Sequence, residues 1–77
     1  MSKEVNSAVA DAEATAQHKE AAEQIAHQRF AAVRAEIEAG KRQEDVTQTE
    51  EFLQWMASRR ETDEAWGKWA MAMDATA

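Results

Sequence analysis

Apolar residues recur along most of this chain at the spacing of an α-helix. On a helical wheel, where each residue advances by about 100°, one apolar face consists of Val5, Val9, Ala12, Ala16, Ala26, Phe30, Val33 and Ile37. A second apolar face consists of Phe52, Trp55, Trp66, Trp69, Ala70 and Met73. No segment shows the β-branched alternation of a strand. The pattern therefore predicts two amphipathic helices and an all-α fold.

Local signals indicate where the two helices end and begin. Gly40 is the residue type that most often ends a helix in the left-handed backbone conformation. The segment TQTE at 47–50 matches a capping box, in which Thr47 accepts a hydrogen bond from the backbone. We therefore predict helices over about 3–39 and 47–74, joined by a polar connection. Two such helices with a short connection form an antiparallel αα-hairpin.

The alternative is a three-helix chain with a break near Thr62. Thr62 is followed by Asp63 and Glu64, which is typical of a helix N-terminus. Pairs of opposite charge four residues apart support a continuous helix across this segment, and no Gly or Pro interrupts it. Those pairs are Arg59 with Asp63, Arg60 with Glu64, and Glu64 with Lys68. We prefer the continuous helix.

A chain of 77 residues has room for one domain, which we place over 1–77 with frayed ends. Folding the hairpin brings the large side chains of the second helix opposite the alanine-rich part of the first, as in packed cores. A lone two-helix hairpin still buries little apolar surface. We therefore expect a homodimer that forms a four-helix bundle. Candidates for the second interface lie outside the main apolar faces: Ile25, Leu53, Met56, Arg60 and Met71.

Composition and charge exclude several classes of function. The absence of cysteine removes disulfides and thiolate metal sites, and it suits a reducing cytoplasm. The first sixteen residues lack the features of a signal peptide, and no window approaches the ~20 apolar residues of a membrane span. The formal charge of -6, from 15 acidic and 9 basic residues, disfavours contact with nucleic acid or anionic membrane. We expect a cytoplasmic protein without a membrane partner.

No motif for catalysis, metal binding or cofactor binding is recognisable. His18 and His27 point to opposite sides of a helix, and no HExxH, EF-hand or phosphate-binding loop occurs. The serines have no neighbouring histidine, and a hairpin of this size offers little room for a shielded pocket. We therefore predict a non-enzymatic protein that uses no cofactor and no metal.

The tryptophans are the best candidates for function, because Trp and Arg are the residue types most enriched at binding hot spots. The chain is predicted to be a protein-binding module that occupies a surface of a larger protein, as an inhibitor or regulator. Acidic residues near the connection would steer it toward a basic or nucleic-acid-binding protein. The predicted partner-binding residues are Trp55, Trp66, Trp69, Met71, Met73, Glu44, Asp45, Glu50 and Glu51.

Two other functions stay open at this stage. One is a structural or assembly adaptor made of self-associating hairpins, with the tryptophans wholly in the core. The other is direct binding of nucleic acid through the basic pairs Lys41–Arg42 and Arg59–Arg60, although two isolated pairs make a weak footprint. In its general character, the chain resembles the small acidic helical proteins with which phages and mobile elements block a host machine. This resemblance rests on size, charge and helicity, and it favours the inhibitor.

Overall fold

A computed structural model of the protein shows two long helices packed side by side as an antiparallel hairpin. It describes the backbone of residues 2–76 and the side chains of residues 7–75. Helix α1 spans Ser2–Glu38 and helix α2 spans Glu50–Thr76, with a 3₁₀ turn at Val46–Gln48 in the connection. No strand occurs within the described backbone. The predicted all-α hairpin is confirmed.

The hairpin is a thin rod that exposes much surface for its size. Its principal extents are 59 × 15 × 14 Å, and its radius of gyration is 17.2 Å, against about 11 Å for a compact domain of this length. The accessible surface is 5811 Å², against about 4,700 Å² for a compact monomer of this mass. Much of each helix therefore faces water.

The first helix ends at the glycine that the sequence indicates. Gly40 has a φ of +78°, in the left-handed region. The Gly40 N–H donates to the Ile37 carbonyl at 3.0 Å, and the Lys41 N–H donates at 2.9 Å to the carbonyl of Glu36. These two bonds form a Schellman motif. A Cβ at Gly40 would meet no atom within 4 Å, so only the backbone conformation demands glycine here.

The second helix begins three residues later than predicted, and Thr49 caps it in place of Thr47. The Thr49 hydroxyl accepts from the Phe52 N–H at 3.2 Å and donates to the Val46 carbonyl at 2.9 Å. The hydroxyl and the N–H of Thr47 both donate to the Asp45 carboxylate, at 2.7 and 2.9 Å. These two bonds lower the pKa of Asp45. A side chain that bonds its own backbone competes with the helix, and this delays the start of α2.

The second helix is continuous through Thr62, so the three-helix alternative is wrong. Thr62 is only 6% exposed. Its hydroxyl donates to the Ser58 carbonyl one turn earlier, at 3.0 Å. This bond satisfies a threonine hydroxyl inside a helix, and no new cap is needed.

The core is widest near the connection, where it is built from aromatic rings. The Phe30 ring stacks on Trp55 with centroids 5.0 Å apart, and it meets Phe52 at 5.5 Å. Farther from the connection, the buried apolar residues are small: Ala16 on α1 and Ala65 on α2. Large residues therefore face each other at one end, and the helices approach through alanines beyond it.

The buried face of α2 differs from the predicted one in its centre. Thr62 and Ala65 are buried, although the prediction omitted them, and Ala70 is exposed, although the prediction included it. Trp66 and Trp69 are only half-buried. An indole is long enough to reach the core from the edge of a helix face, whereas a small residue is buried only at its centre. Because the prediction centred the buried face on the tryptophans, it missed the actual centre at Thr62 and Ala65.

A salt bridge joins the two helices at their midpoint. The Lys19 ammonium lies 2.8 Å from the Glu61 carboxylate. By helical phase Lys19 falls on the apolar face of α1, and the structure places its charged end at the margin of that face. A lysine does this by laying its aliphatic stem along apolar surface. The bond to Lys19 lowers the pKa of Glu61.

The cap of α2 generates a stability prediction. Thr49→Ala removes the acceptor of the Phe52 N–H, and we expect it to lower the free energy of unfolding by about 1–2 kcal/mol. Thr47→Ala is the matched control, because its hydroxyl bonds only an exposed turn, and we expect a smaller loss. Urea unfolding followed by circular dichroism measures both. A larger effect at Thr47 would contradict the assigned cap.

The salt bridge generates a prediction about pH. Because the folded-state pKa of Glu61 is lowered, its stabilising contribution is present above the unfolded-state pKa and is lost as pH falls through the folded-state pKa. Glu61→Gln should therefore flatten the loss of stability on acidification, measured as unfolding midpoint against pH. The same change in a Lys19→Met background should have no such effect, since the partner is gone. An equal effect in both backgrounds would place the cause elsewhere.

Candidate functional site

Aromatic and charged side chains meet along one side of the hairpin, which we call the tryptophan flank. It consists of His27 on α1 and of Trp55, Arg59 and Trp66 on α2. Trp66 follows Trp55 by eleven residues, which places it about 20° around the helix and about 16 Å along it. The two indoles therefore lie in one row on the same side of the rod.

Trp55 occupies the middle of a set of ring contacts. Its ring centroid lies 4.6 Å from that of His27, at an interplanar angle of 56°, and its other neighbour on α1 is the stacked Phe30. The guanidinium carbon of Arg59 lies 5.7 Å from the centroid of the Trp55 ring. That distance is within the range of cation–π attraction. Contacts from both helices thus hold this indole in one orientation.

The indole N–H of Trp55 is buried and has no hydrogen-bond acceptor in the described part of the chain. A buried donor without an acceptor destabilises a fold by about 1–3 kcal/mol. A shallow hollow adjoins this indole, with polar side chains from α1 along its rim. It is lined by Glu23, Gln24, His27, Gln28 and Trp55. The hollow therefore combines an aromatic wall with hydrogen-bonding groups.

A second aromatic pair lies about three helical turns farther from the connection. The rings of Trp66 and Trp69 meet edge to face, with centroids 5.3 Å apart and an interplanar angle of 88°. This is a preferred geometry for aromatic pairs. Both side chains are half-buried. Each indole therefore has one part supported by protein and another part facing water.

The two predicted methionines lie on different faces of α2. Met73 follows Trp66 by seven residues, about 20° short of two full turns, and so belongs to the side of the tryptophan flank. It is 44% exposed. Met71 follows Trp66 by five residues, about 140° around the helix, and is 73% exposed. The structure therefore separates Met71 from Trp66 and Met73.

The acidic residues near the connection have contacts within the protein. Glu44 accepts hydrogen bonds from the Arg42 guanidinium at 2.7 and 3.1 Å, and this contact raises the pKa of Arg42. Asp45 caps the 3₁₀ turn. Glu50 accepts from the Gln54 amide at 3.1 Å, and the half-buried Glu51 lies beside it in the first turn of α2.

The predicted site residues thus fall into three places. The four acidic residues surround the connection, and Trp55 lies one turn beyond Glu51. Trp66, Trp69 and Met73 lie toward the other end of the rod. Met71 points to another side. The contacts of His27 and Arg59 with Trp55 were not predicted. Arg59 follows Trp55 by four residues, about one helical turn, and this spacing is the signal in the sequence that could have indicated their contact.

Among the described residues, no three histidine, cysteine or acidic side chains are grouped to hold a metal ion. In the same part of the chain, neither helix has an apolar stretch long enough to cross a bilayer.

No protein-family model, curated protein sequence or solved structure matches this chain significantly.

Proposed function

We propose that the protein is a non-catalytic binding module that uses the tryptophan flank to occupy a basic surface of a larger protein. The observation that carries the proposal is the row formed by Trp55 and Trp66, each half-buried and each held by ring contacts. A tryptophan that is already fixed loses little conformational freedom on binding, which favours affinity. Two such anchors about 16 Å apart suit an elongated partner segment.

The tryptophan flank itself carries one cation, Arg59, and the carboxylates beside the flank favour a basic partner. Glu23 lines the hollow beside Trp55, and the exposed Glu13, Glu20 and Asp63 fall on the same side by helical phase. A partner lysine or arginine can stack on an indole and pair with a neighbouring carboxylate. The formal charge of -6 adds attraction over longer distances. The proposed partner chemistry is therefore a surface rich in lysine and arginine, such as a nucleic-acid-binding protein presents.

The buried N–H of Trp55 agrees with this proposal. Solvent does not reach this donor in the free hairpin, so a backbone carbonyl of the partner could accept from it only if binding at the adjoining hollow moves the indole or the side chains that cover it. Satisfying a buried donor recovers the free energy that its desolvation removed. The hollow is therefore the position at which we expect a main-chain contact.

The inhibitor or regulator role is part of the proposal and rests on size, charge and shape. A rod 59 Å long and about 15 Å wide is narrow enough to lie along a groove and block it. The absence of cysteine agrees with action in a reducing compartment such as the cytoplasm. In its small size, acidic charge and helicity the chain also resembles the accessory proteins of phages and mobile elements.

Direct binding of nucleic acid is the less favoured alternative. Of the two basic pairs, Arg42 contacts the carboxylates of Glu44 and Glu36, at 2.7 and 3.7 Å. Arg59 lies over the Trp55 ring. Both guanidinium groups would have to leave these positions to neutralise phosphates, which is the contact that supports nonspecific binding.

Variants on the two sides of the rod test the proposal. The partner is first isolated from extracts of native cells with the tagged protein as bait. Titration of the original protein and of each variant with the purified partner then gives the Kd of each complex. Trp66→Ala should weaken binding roughly 30-fold or more, as expected at a hot spot. Asp63→Lys should slow association and reduce its dependence on salt, because it reverses an exposed charge.

Ile25→Ala is the matched control, because Ile25 is an exposed apolar residue, 52% accessible, that lines the groove on the opposite side of the hairpin. It should leave the Kd within about twofold of the original. Circular dichroism of each variant should show the same helix content as the original protein. A partner that binds Trp66→Ala and Asp63→Lys as tightly as the original protein would refute the assigned surface.

A further inference from the structure

A second row of side chains runs along the face of α2 that points away from α1. Leu53 and Met71 are 57% and 73% exposed. They are eighteen residues apart, which is five full turns, so they share one angular position about 27 Å apart. The outer row alternates steps of four and three residues, as in a coiled coil. It consists of Leu53, Ala57, Arg60, Glu64, Gly67 and Met71, all of them exposed.

The outer row is self-complementary about its midpoint. Its midpoint in sequence is Thr62, which lies on the opposite, buried side of the helix. Residues at equal distance from this midpoint match in chemistry: an apolar pair, a small pair and a pair of opposite charge. The pairs are Leu53 with Met71, Ala57 with Gly67, and Arg60 with Glu64.

We propose that a second copy of this chain docks on the outer row, with the two α2 helices antiparallel about a two-fold axis level with Thr62. A two-fold interface brings residue i of one copy to residue j of the other and j to i. Leu53 of each copy then meets Met71 of the other, Ala57 meets Gly67, and Arg60 meets Glu64. The next pair outward, Glu50 with Asp74, is like-charged and marks the ends of the contact.

The charges at the centre favour the antiparallel orientation. Neither Arg60 nor Glu64 takes part in an ion pair within the described part of the chain. In the antiparallel arrangement each lies beside the opposite charge of the other copy. A parallel arrangement would instead bring Arg60 to Arg60 and Glu64 to Glu64. Charged residues at such positions set the orientation and register of paired helices.

Gly67 supports the proposal independently. It lies inside a helix, where glycine destabilises by about 0.5–1 kcal/mol relative to alanine. A Cβ at this position would meet no atom within 4 Å, so the hairpin alone gives no reason for a glycine. In the proposed dimer, Gly67 lies against Ala57 of the second copy. Two residues without bulky side chains allow the helix backbones to approach closely.

The hairpin as a whole exposes more surface than a compact monomer of its mass, as expected of a chain that leaves one side for a partner. The accessible surface of 5811 Å² exceeds that of a compact monomer of this mass by about 1,100 Å². A standard interface buries about 800 Å² on each partner. Trp66 is about 140° around α2 from the outer row, so the dimer leaves both tryptophan flanks open. The dimer therefore neither requires nor blocks the proposed binding function.

Charge reversal tests the central contact. In Arg60→Glu, positions 60 and 64 of each copy are both acidic, and in Glu64→Arg both are basic. A homodimer of either variant therefore places like charges opposite each other across the axis. Sedimentation equilibrium should show that the dissociation constant of the dimer is at least about tenfold higher for each variant than for the original protein. Mixing the two variants in equal amounts creates only opposite pairs across the axis, and a heterodimer of original affinity should form. Mixing without rescue, or an original protein that stays monomeric, would overturn the proposal.

Arg34→Glu is the matched control for charge effects within one helix. Arg34 pairs with Glu38 four residues later on α1, at 3.0 Å. Its reversal creates the same repulsion inside a helix as Arg60→Glu does, but away from the outer row. Dimerisation of Arg34→Glu should equal that of the original protein. If Arg34→Glu and Arg60→Glu weakened dimerisation equally, the cause would be repulsion within one helix, and the proposed interface would be contradicted.

Disulfide formation tests the orientation, because the chain contains no cysteine of its own. Leu53→Cys and Met71→Cys, mixed and mildly oxidised, should form a mixed dimer. Either variant alone should stay uncrosslinked, because its two thiols would lie about 27 Å apart, far beyond the reach of a disulfide. Rapid self-crosslinking of Leu53→Cys alone would indicate parallel helices and overturn the antiparallel proposal.

Discussion

The stack of Phe30 on Trp55 is the contact on which the rest of the hairpin depends. These are the bulkiest side chains that meet across the two helices, and with Phe52 they form the widest part of the core. Because they lie close to the connection, they set how the helices align. The alignment then brings alanines together along the rest of the rod, where Ala16 and Ala65 are buried. Without the ring stack, small residues alone would select one register only weakly.

A hairpin of two helices cannot cover all sides of either one, and α2 shows the consequence. One side meets α1, the second carries the tryptophan flank, and the third carries the outer row with Leu53 and Met71. The exposed sides of the rod thus carry different kinds of side chain. Aromatic rings and Arg59, with carboxylates beside them, lie on one side, and a self-complementary apolar and charged row lies on another. We interpret the first as the partner surface and the second as the surface for a second copy.

The candidate site could be predicted only in part. Sequence reasoning selected Trp55, Trp66 and Met73, which do share one side of α2. It included Met71 among the partner-binding residues although Met71 lies outside the main apolar face, and the structure places it on a different side of α2 from Trp66. It also treated Glu44 as free to attract a partner, whereas the Arg42 guanidinium contacts it at 2.7 Å. A local ion pair of this kind depends on the path of the connection.

The sequence by itself determined the two helices, the end of the first at Gly40 and most of the buried face of α1, because helical periodicity and the glycine stop are local properties. Only the tertiary structure decided that Thr49 caps α2, that Thr62 is buried, and that Lys19 reaches Glu61. Each of these depends on which residues of the other helix or of the connection lie opposite. That alignment follows from ring packing between residues far apart in sequence. The helical periodicity of one segment carries no information about which residues of another segment it will meet.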